Sequence, residues 1–416
     1  MRRATNPCRL TGLVLCWLCI AGCVTREETP RPRPGLRAAA PGAGVAPLAY
    51  EGPVARPVDD PEASASSSVV VEVQPIGSVP YDGQVLPLVS PDGRYLACQT
   101  GSPPAWDVLL GGTSPYPLAT RIEIFDTASS PIERIFPRDG FPPGLVLGRG
   151  SDAEGFLVEG IRVDGSRWIG KVTWGGALRW LVQGEGIASH AVLSSTGDLA
   201  YTRLEGGVGV LVVRGRDGQE RVLRRADGSL VMPTFAGDPR TLYAILVTPD
   251  GSLDLVAVRL DPRGDGIDFG PVTSRVRLAA RASPAVAYQI MAPTQSPLPR
   301  SADRAEAPLI IYHPIFGRMA EFAPRRGEFV LLAEDSIAGV LASEASTPGY
   351  LLTTPEGLTF QARDRRGRII ATPRVLSEAY VPRATTEASR AFILLGPGRQ
   401  ANRLEVAAMR FAPRRP

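Results

Sequence analysis

An all-β chain assembled from a repeated four-stranded unit is the fold this sequence predicts, and three observations predict it. The first is Ser90-Pro91-Asp92-Gly93-Arg94-Tyr95-Leu96-Ala97. There a proline presets φ and a glycine takes the positive-φ place of a tight hairpin turn between apolar runs. The second is the return of that turn, in weaker form, along the rest of the chain. The third is that no long segment shows helical periodicity between capping signals. A ring of such units is a β-propeller.

Around the first turn, Val85, Leu86, Leu88 and Val89 read as one strand and Tyr95 to Cys98 as the next. Counterparts follow at Ser151-Asp152-Ala153-Glu154-Gly155, Ser194-Ser195-Thr196-Gly197-Asp198 and Ala236-Gly237-Asp238-Pro239-Arg240, each before an apolar run. Fainter ones are Ala282-Ser283-Pro284, Ser346-Thr347-Pro348-Gly349 and Glu387-Ala388-Ser389-Arg390. Several intervals are about 40 to 45 residues, the span of one four-stranded blade. The third unit is the clearest: Ala191–Leu193, Leu199–Arg203, Val208–Val213 and Arg221–Leu223 read as four strands joined by Gly/Asp turns. Second turns of the same kind occur at Val163-Asp164-Gly165, Pro249-Asp250-Gly251 and Arg365-Arg366-Gly367.

Seven turns predict seven blades, with six or eight left open by one miscounted turn. The last unit offers Ala391–Leu395 and Arg403–Phe411 and then stops one strand short, while Val69-Val70-Val71-Glu72-Val73 stands orphaned before the first blade. The expectation is that this N-terminal strand completes the last blade and closes the ring, which protects edges and ties the termini together.

Ser90 to Ala97, followed by the strand Arg121-Ile122-Glu123-Ile124-Phe125-Asp126, resembles the TolB-type propeller repeat. In that family Ser-Pro-Asp-Gly makes the first hairpin and a later strand ends in an acidic residue. The resemblance implies architecture from Val69 to the C-terminus and no catalytic residues.

The first residues carry a different signal. Arg2, Arg3 and Arg9 form a positive leader, and Leu10 to Ile20 an apolar stretch too short to span a membrane. It ends in Ile20-Ala21-Gly22-Cys23, which resembles the bacterial lipobox and implies a signal peptide over 1–22 with lipid attached at Cys23. Multiple acyl chains there would anchor the protein stably. The non-acidic Val24 then implies, by resemblance to Gram-negative lipoproteins, the outer membrane facing the periplasm. Residues 23–68, rich in Pro, Ala and Ser, read as a flexible tether, and 69–416 as the propeller.

Composition narrows the function classes. The 416 residues hold 44 Gly and 40 Pro, and Lys171 is the only lysine. The formal charge of +4 owes three of its arginines to the leader, so the folded part is nearly balanced and has no footprint for nucleic acid. Of the five cysteines, Cys8, Cys16 and Cys19 leave with the leader and Cys23 takes the lipid. Cys98 remains alone, as a small buried hydrophobe on an inner strand.

Catalytic patterns are missing. Outside the leader, where Cys16 and Cys19 stand three apart, no Gly-x-Ser-x-Gly elbow, Walker loop, CxxC pair or calcium-loop consensus occurs. His190 and His313 are the only histidines, too few for a three-histidine metal site. The carboxylate pairs Asp59-Asp60, Asp152/Glu154 and Glu334-Asp335 read as tether or turn residues. No catalytic residue, cofactor or metal is therefore expected. Trp168, Trp174 and Trp180 are the candidate ligand platform. The first two share a strand face, and Gly175-Gly176 turns the chain to bring Trp180 beside them; packing between blades competes with this role.

The sequence thus reads as a lipid-anchored, non-catalytic envelope scaffold that binds proteins or glycans. The alternative is an envelope hydrolase or lyase, acting on polysaccharide or peptide at scattered residues in the propeller channel.

Overall fold

The computed structural model describes residues 54–55, 71–82, 85–101, 120–129, 131–136, 141–142, 144–162, 164–194, 196–235, 239–263, 266–279, 289–291, 309–313, 318–323, 328–333, 336, 338–344, 347–363, 369–384, 391–397 and 402–412. Among them every regular element is a strand, and no helix is long and apolar enough to cross a membrane. Most of the leader and tether, Cys23 included, lies outside the described residues.

β1 (Val54–Ala55) and β2 (Val71–Pro80) precede a four-stranded sheet of β3 (Leu88–Val89), β4 (Tyr95–Thr100), β5 (Arg121–Asp126) and β6 (Glu133–Phe136). The next two meanders share one sheet. They are β7 (Leu145–Ser151), β8 (Gly155–Ile161), β9 (Arg167–Thr173) and β10 (Leu178–Val182), then β11 (Ile187–Leu193), β12 (Leu199–Glu205), β13 (Val208–Arg214) and β14 (Glu220–Leu223). They join where Ile187 meets Arg167.

β15 (Ser229–Phe235), β16 (Thr241–Val247), β17 (Leu253–Arg263) and β18 (Gly266–Ala279) form another four-stranded sheet. β19 (Gln289–Met291), β20 (Leu309–His313), β21 (Arg318–Ala323) and β22 (Glu328–Ala333) form the following one, and β1 adds to β22 in parallel. Then come β23 (Ala338–Glu344), β24 (Thr347–Thr354) and β25 (Gly357–Arg363), with β26 (Ile369–Ala371) and β27 (Arg374–Leu376) both paired to β25. The last sheet is β28 (Val381–Ala384), β29 (Ala391–Pro397) and β30 (Arg403–Phe411), completed by β2.

The hairpin chemistry follows the sequence closely. At the first turn the Gly93 amide donates to Ser90 O at 2.8 Å, and the Tyr95 amide to Ser90 Oγ at 2.8 Å; Gly93 sits at φ 75°. Asp92 accepts from the Arg94 amide at 3.0 Å, and the Arg94 guanidinium reaches Asp126 at the end of β5 at 3.1 Å. A frame one residue shorter occurs at Ser194, where Gly197 donates to Ser194 O and Asp198 O accepts from the Ser194 amide. It recurs again at Arg162–Ser166, Gly215–Gln219 and Thr248–Ser252. This is a type I turn closed by a left-handed residue, whose twist matches that of the flanking strands.

Second and third strands read as unbroken apolar runs because both faces of each sheet are covered. Successive side chains point to opposite faces, so one strand feeds two cores. Leu96 and Cys98 enter the core shared with the last sheet, while Ala97 between them enters the core shared with β7–β9. Phe156 and Val158 face β4 and β5, whereas Leu157 faces β11–β13. Ala200 packs towards β15–β17, and Tyr201 back towards β8 and β9.

These shared cores link sheet to sheet around a circle. Tyr243 meets Phe322 edge-on at 6.2 Å between β16 and β21. Gly339 of β23 lies so close to Met319 of β21 that a Cβ there would stand 2.6 Å from the sulfur. Leu351 and Phe360 pack on Phe392 and Leu394, and Val79, Ile393 and Val406 return to Leu96 and Phe125. The fold is a β-propeller. Its seam is β2 on β30, antiparallel from Val71↔Phe411 to Pro80↔Arg403, so the orphan N-terminal strand is the outer strand of the last sheet and runs well past Val73. As an outer edge it tolerates Pro75 and Pro80, whose missing amides would break a central ladder.

One expectation about turns is corrected. Thr347-Pro348-Gly349 lie within β24, paired to Glu344, Ser343 and Ala342, so they are paired strand rather than turn. Ala282-Ser283-Pro284 and Glu387–Arg390 lie outside the described residues.

Deleting 71–80 removes the seam strand with its buried Val79. This should lower Tm by about 5–10 °C or block folding, against less than about 2 °C for deleting 25–53, as measured by calorimetry. Equal melting temperatures would overturn the seam.

Candidate axial binding site

The first strands of neighbouring sheets run beside one another: β3 by β7, β7 by β11, β11 by β15, β15 by β19, and β23 by β28. They surround the axis, and each of three is fixed by a side chain from the second strand of the sheet before it. Gln99 Oε1 accepts from the Leu147 amide at 2.7 Å, Glu159 Oε1 from the His190 amide at 2.7 Å, and Thr202 Oγ1 from the Met232 amide at 3.2 Å. Each recipient amide sits at a break in register between the first and second strands of its own sheet. His190 and Met232 are left-handed there, at φ 56° and 55°. That conformation is uncommon for a side-chain-bearing residue, and the bond from the neighbouring sheet holds it.

At Glu159 this clamp becomes a charged cluster. The second carboxylate oxygen faces Arg167 Nη1 at 3.5 Å, with both side chains largely buried, and the charge of Arg149 on β7 acts on the same carboxylate. Burial pulls the Arg149 guanidinium down to about 10. The His190 ring, with Nδ1 3.1 Å from Ser189 Oγ, is pushed down to about 3, first by burial and then by the charges of Arg149 and Arg167. It is therefore a neutral imidazole throughout the physiological range. Two guanidinium groups beside a neutral ring are a chemistry that suits an anionic or carbonyl-bearing ligand.

The three tryptophans do not form one surface. Trp174 lies in the turn after β9, buried, 5.1 Å from Phe156 and stacked at 5.7 Å on Tyr95. Trp168 and Trp180 do meet, edge to face at 5.4 Å, with Arg162 over the Trp168 ring at 4.6 Å and Trp168 Nε1 donating to Gly184 O. Trp180 lies across Gly160, where a Cβ would stand 2.3 Å from its ring. Only the half-buried Trp168–Trp180 pair offers aromatic surface to a ligand.

Other candidates are occupied structurally. Asp152 and Glu154 both bind Lys171 Nζ, at 2.7 and 2.8 Å. Cys98 is buried, and burial drives its thiol pKa upward, as a core residue requires. His313 belongs to β20, and Asp59, Asp60, Glu334 and Asp335 lie outside the described residues. No group of three or more metal-ligating side chains occurs among the described residues. Sequence reading missed Glu159, Arg149 and Arg167. The available signal was a polar residue three places after the first core residue of a second strand: Leu96 to Gln99, Phe156 to Glu159, Leu199 to Thr202, Tyr350 to Thr353.

Three outcomes follow. Glu159→Gln keeps the bond to the His190 amide, as Gln99 does one sheet earlier, but removes the charge that faces largely buried Arg167, and should cost about 1–3 kcal/mol in urea unfolding; Glu159→Ala loses both contacts and should cost more. Gly160→Ala should cost about 1–3 kcal/mol by overpacking Trp180. The unfolded chain protonates His190 below pH about 6.5, while the native ring resists down to about 3. Stability should thus fall with acid across that window, by at most about 1.4 kcal/mol per pH unit from this group. His190→Gln should flatten the slope.

No family model matches the sequence, and no curated protein matches it. Among solved structures, virginiamycin B lyase from Staphylococcus aureus aligns at 11% identity over 82% of this chain and 100% of its own, with a TM-score of 0.44. An auxiliary nutrient binding protein from Bacteroides thetaiotaomicron aligns at 10% identity over 82% and 77%, with a TM-score of 0.43. TolB from Acinetobacter baumannii aligns at 13% identity over 69% and 56%, with a TM-score of 0.34. At such scores none of them bears on what this chain binds.

Proposed function

We propose that this chain is a seven-bladed propeller, exported and lipid-anchored through Cys23, that serves as a non-catalytic binding scaffold in the cell envelope and takes its ligand at the axis. The observation that carries the binding role is the meeting of Arg149 and His190, from the first strands β7 and β11, with Arg167 at the start of β9, donors and a neutral ring without a paired acid and base. Buried carboxylates are engaged elsewhere: Glu123 by Arg121 and Arg134, Asp126 by Arg94, Asp254 by Arg275 and Arg277. The blade count is supported by the seven meanders that begin at β3, β7, β11, β15, β19, β23 and β28. The anchor is supported by the Ile20–Cys23 sequence and the Pro/Ala-rich stretch behind it.

Two measurements test this. Metabolic labelling with an alkyne fatty acid should mark the wild-type chain and leave Cys23→Ala unlabelled; label on both, or on neither, would remove the anchor. A photo-crosslinker at position 190 of the membrane-bound chain should capture an envelope component. Turnover of a polysaccharide or peptide that is abolished by Glu159→Gln would instead establish the channel enzyme.

A further inference from the structure

The innermost strand of the last sheet carries a cation for which the described residues offer no ion pair. Arg383 lies on β28, at the edge of its sheet and opposite the seam strand. Its Nε is buried and has no hydrogen-bond partner. No ion pair reaches its guanidinium among the described residues. Three other arginines are engaged: Arg167 by Glu159, Arg275 by Asp254 and Asp227, and Arg403 by Ser78 O and Oγ at 2.6 and 2.8 Å.

Arg383 is half-buried, and its Nε lies among apolar neighbours. Arg383 is opposite Ile393, and its neighbour Val381 belongs to the apolar core shared with β4 and β5. Burial lowers its pKa, and the one group opposing that effect is the phenol of Tyr81, which follows the seam strand directly. The Tyr81 amide is fixed on Asn402 O at 2.8 Å. Just before β28, Tyr380 O is held by buried Thr353 Oγ1 at 2.6 Å. The cation and the phenol therefore sit on braced backbone from two different strands. An isolated charge taken out of water is unfavourable unless an opposite charge joins it, and the planar guanidinium fork suits a carboxylate or phosphate, with a phenol as a second donor.

We propose that Arg383 and Tyr81 form a binding site for a compact oxyanion, a carboxylate or phosphate group, on the axial side of the last sheet. The site goes beyond the scaffold reading and does not depend on the lipid anchor, so Cys23→Ala protein should bind the anion as the wild type does.

The test is thermal unfolding of the full chain at constant ionic strength in chloride, acetate or inorganic phosphate, with calorimetric titration of the effective anion. Acetate or phosphate should raise the wild-type Tm saturably, by roughly 2–4 °C near saturation, and which of them acts identifies the group. Arg383→Met should lose that rise and, in chloride, melt at or above the wild type, because a half-buried cation with an unpartnered Nε has gone. Arg383→Lys keeps the charge but not the fork, and should weaken binding about tenfold or more. Absence of binding to wild type by either anion would overturn the site. So would equal shifts in wild type and Arg383→Met, or an Arg383→Met protein that fails to fold or melts well below the wild type in chloride, which would make Arg383 a packing residue.

Discussion

Everything in this molecule depends on sheets that are buried on both faces. A sheet with one wet face can stand alone on a single core, but a strand such as β8 sends Phe156 and Val158 into one core and Leu157 into another. Each sheet then needs a neighbour on either side, and an open row of sheets would always leave two faces uncovered. Closure into a ring is the solution, and the chain achieves it with β2 on β30, from opposite ends of the folded part. Burial on both faces makes the ring cooperative, because freeing one sheet exposes two cores at once.

Closure also decides where polar chemistry can sit. Second strands are surrounded by apolar neighbours, so a polar side chain there must find a partner across the gap between sheets. Gln99, Glu159 and Thr202 each find a backbone amide of the next first strand. The bulges that present those amides turn first-strand residues out of the regular ladder, which is how a bulge re-aims a side chain. The axis thereby receives His190 and Met232 from positions that a regular ladder would have sent into a core. The same clamps that hold sheet to sheet shape the surface a ligand would meet.

Much of this was legible in the sequence. The Ser-Pro-Asp-Gly turn, the four strands between Ala191 and Leu223, and the orphan strand near Val71 could all be read from local turn chemistry and apolar runs. Turn chemistry was less informative in the β19–β24 region, where Thr347-Pro348-Gly349 looks like a turn but is paired strand, because tertiary pairing overrides local preference. The tryptophans misled for a related reason. Even spacing places Trp168 and Trp174 on one face only if the strand continues, but β9 ends at Thr173 and Trp174 turns into the core. The axial residues come one or two from each of several sheets, so their proximity has no linear signature. What was visible, a polar residue at the fourth place of an apolar strand, takes its meaning only from the neighbour it bonds.

The distribution of charge is the ground on which recognition, rather than turnover, is proposed. A hydrolytic site on a propeller needs a carboxylic acid and a base free to exchange protons, held at a set separation. In the cluster described here the one buried carboxylate, Glu159, is committed to a backbone amide and to Arg167, so protonating it would loosen the contact between two sheets. The nearby imidazole is held neutral by burial and by two arginines, far from the pKa near 7 that suits a general base or acid. On the proposed reading, the guanidinium groups beside the neutral ring serve to hold an anionic or carbonyl-bearing group rather than to transfer a proton.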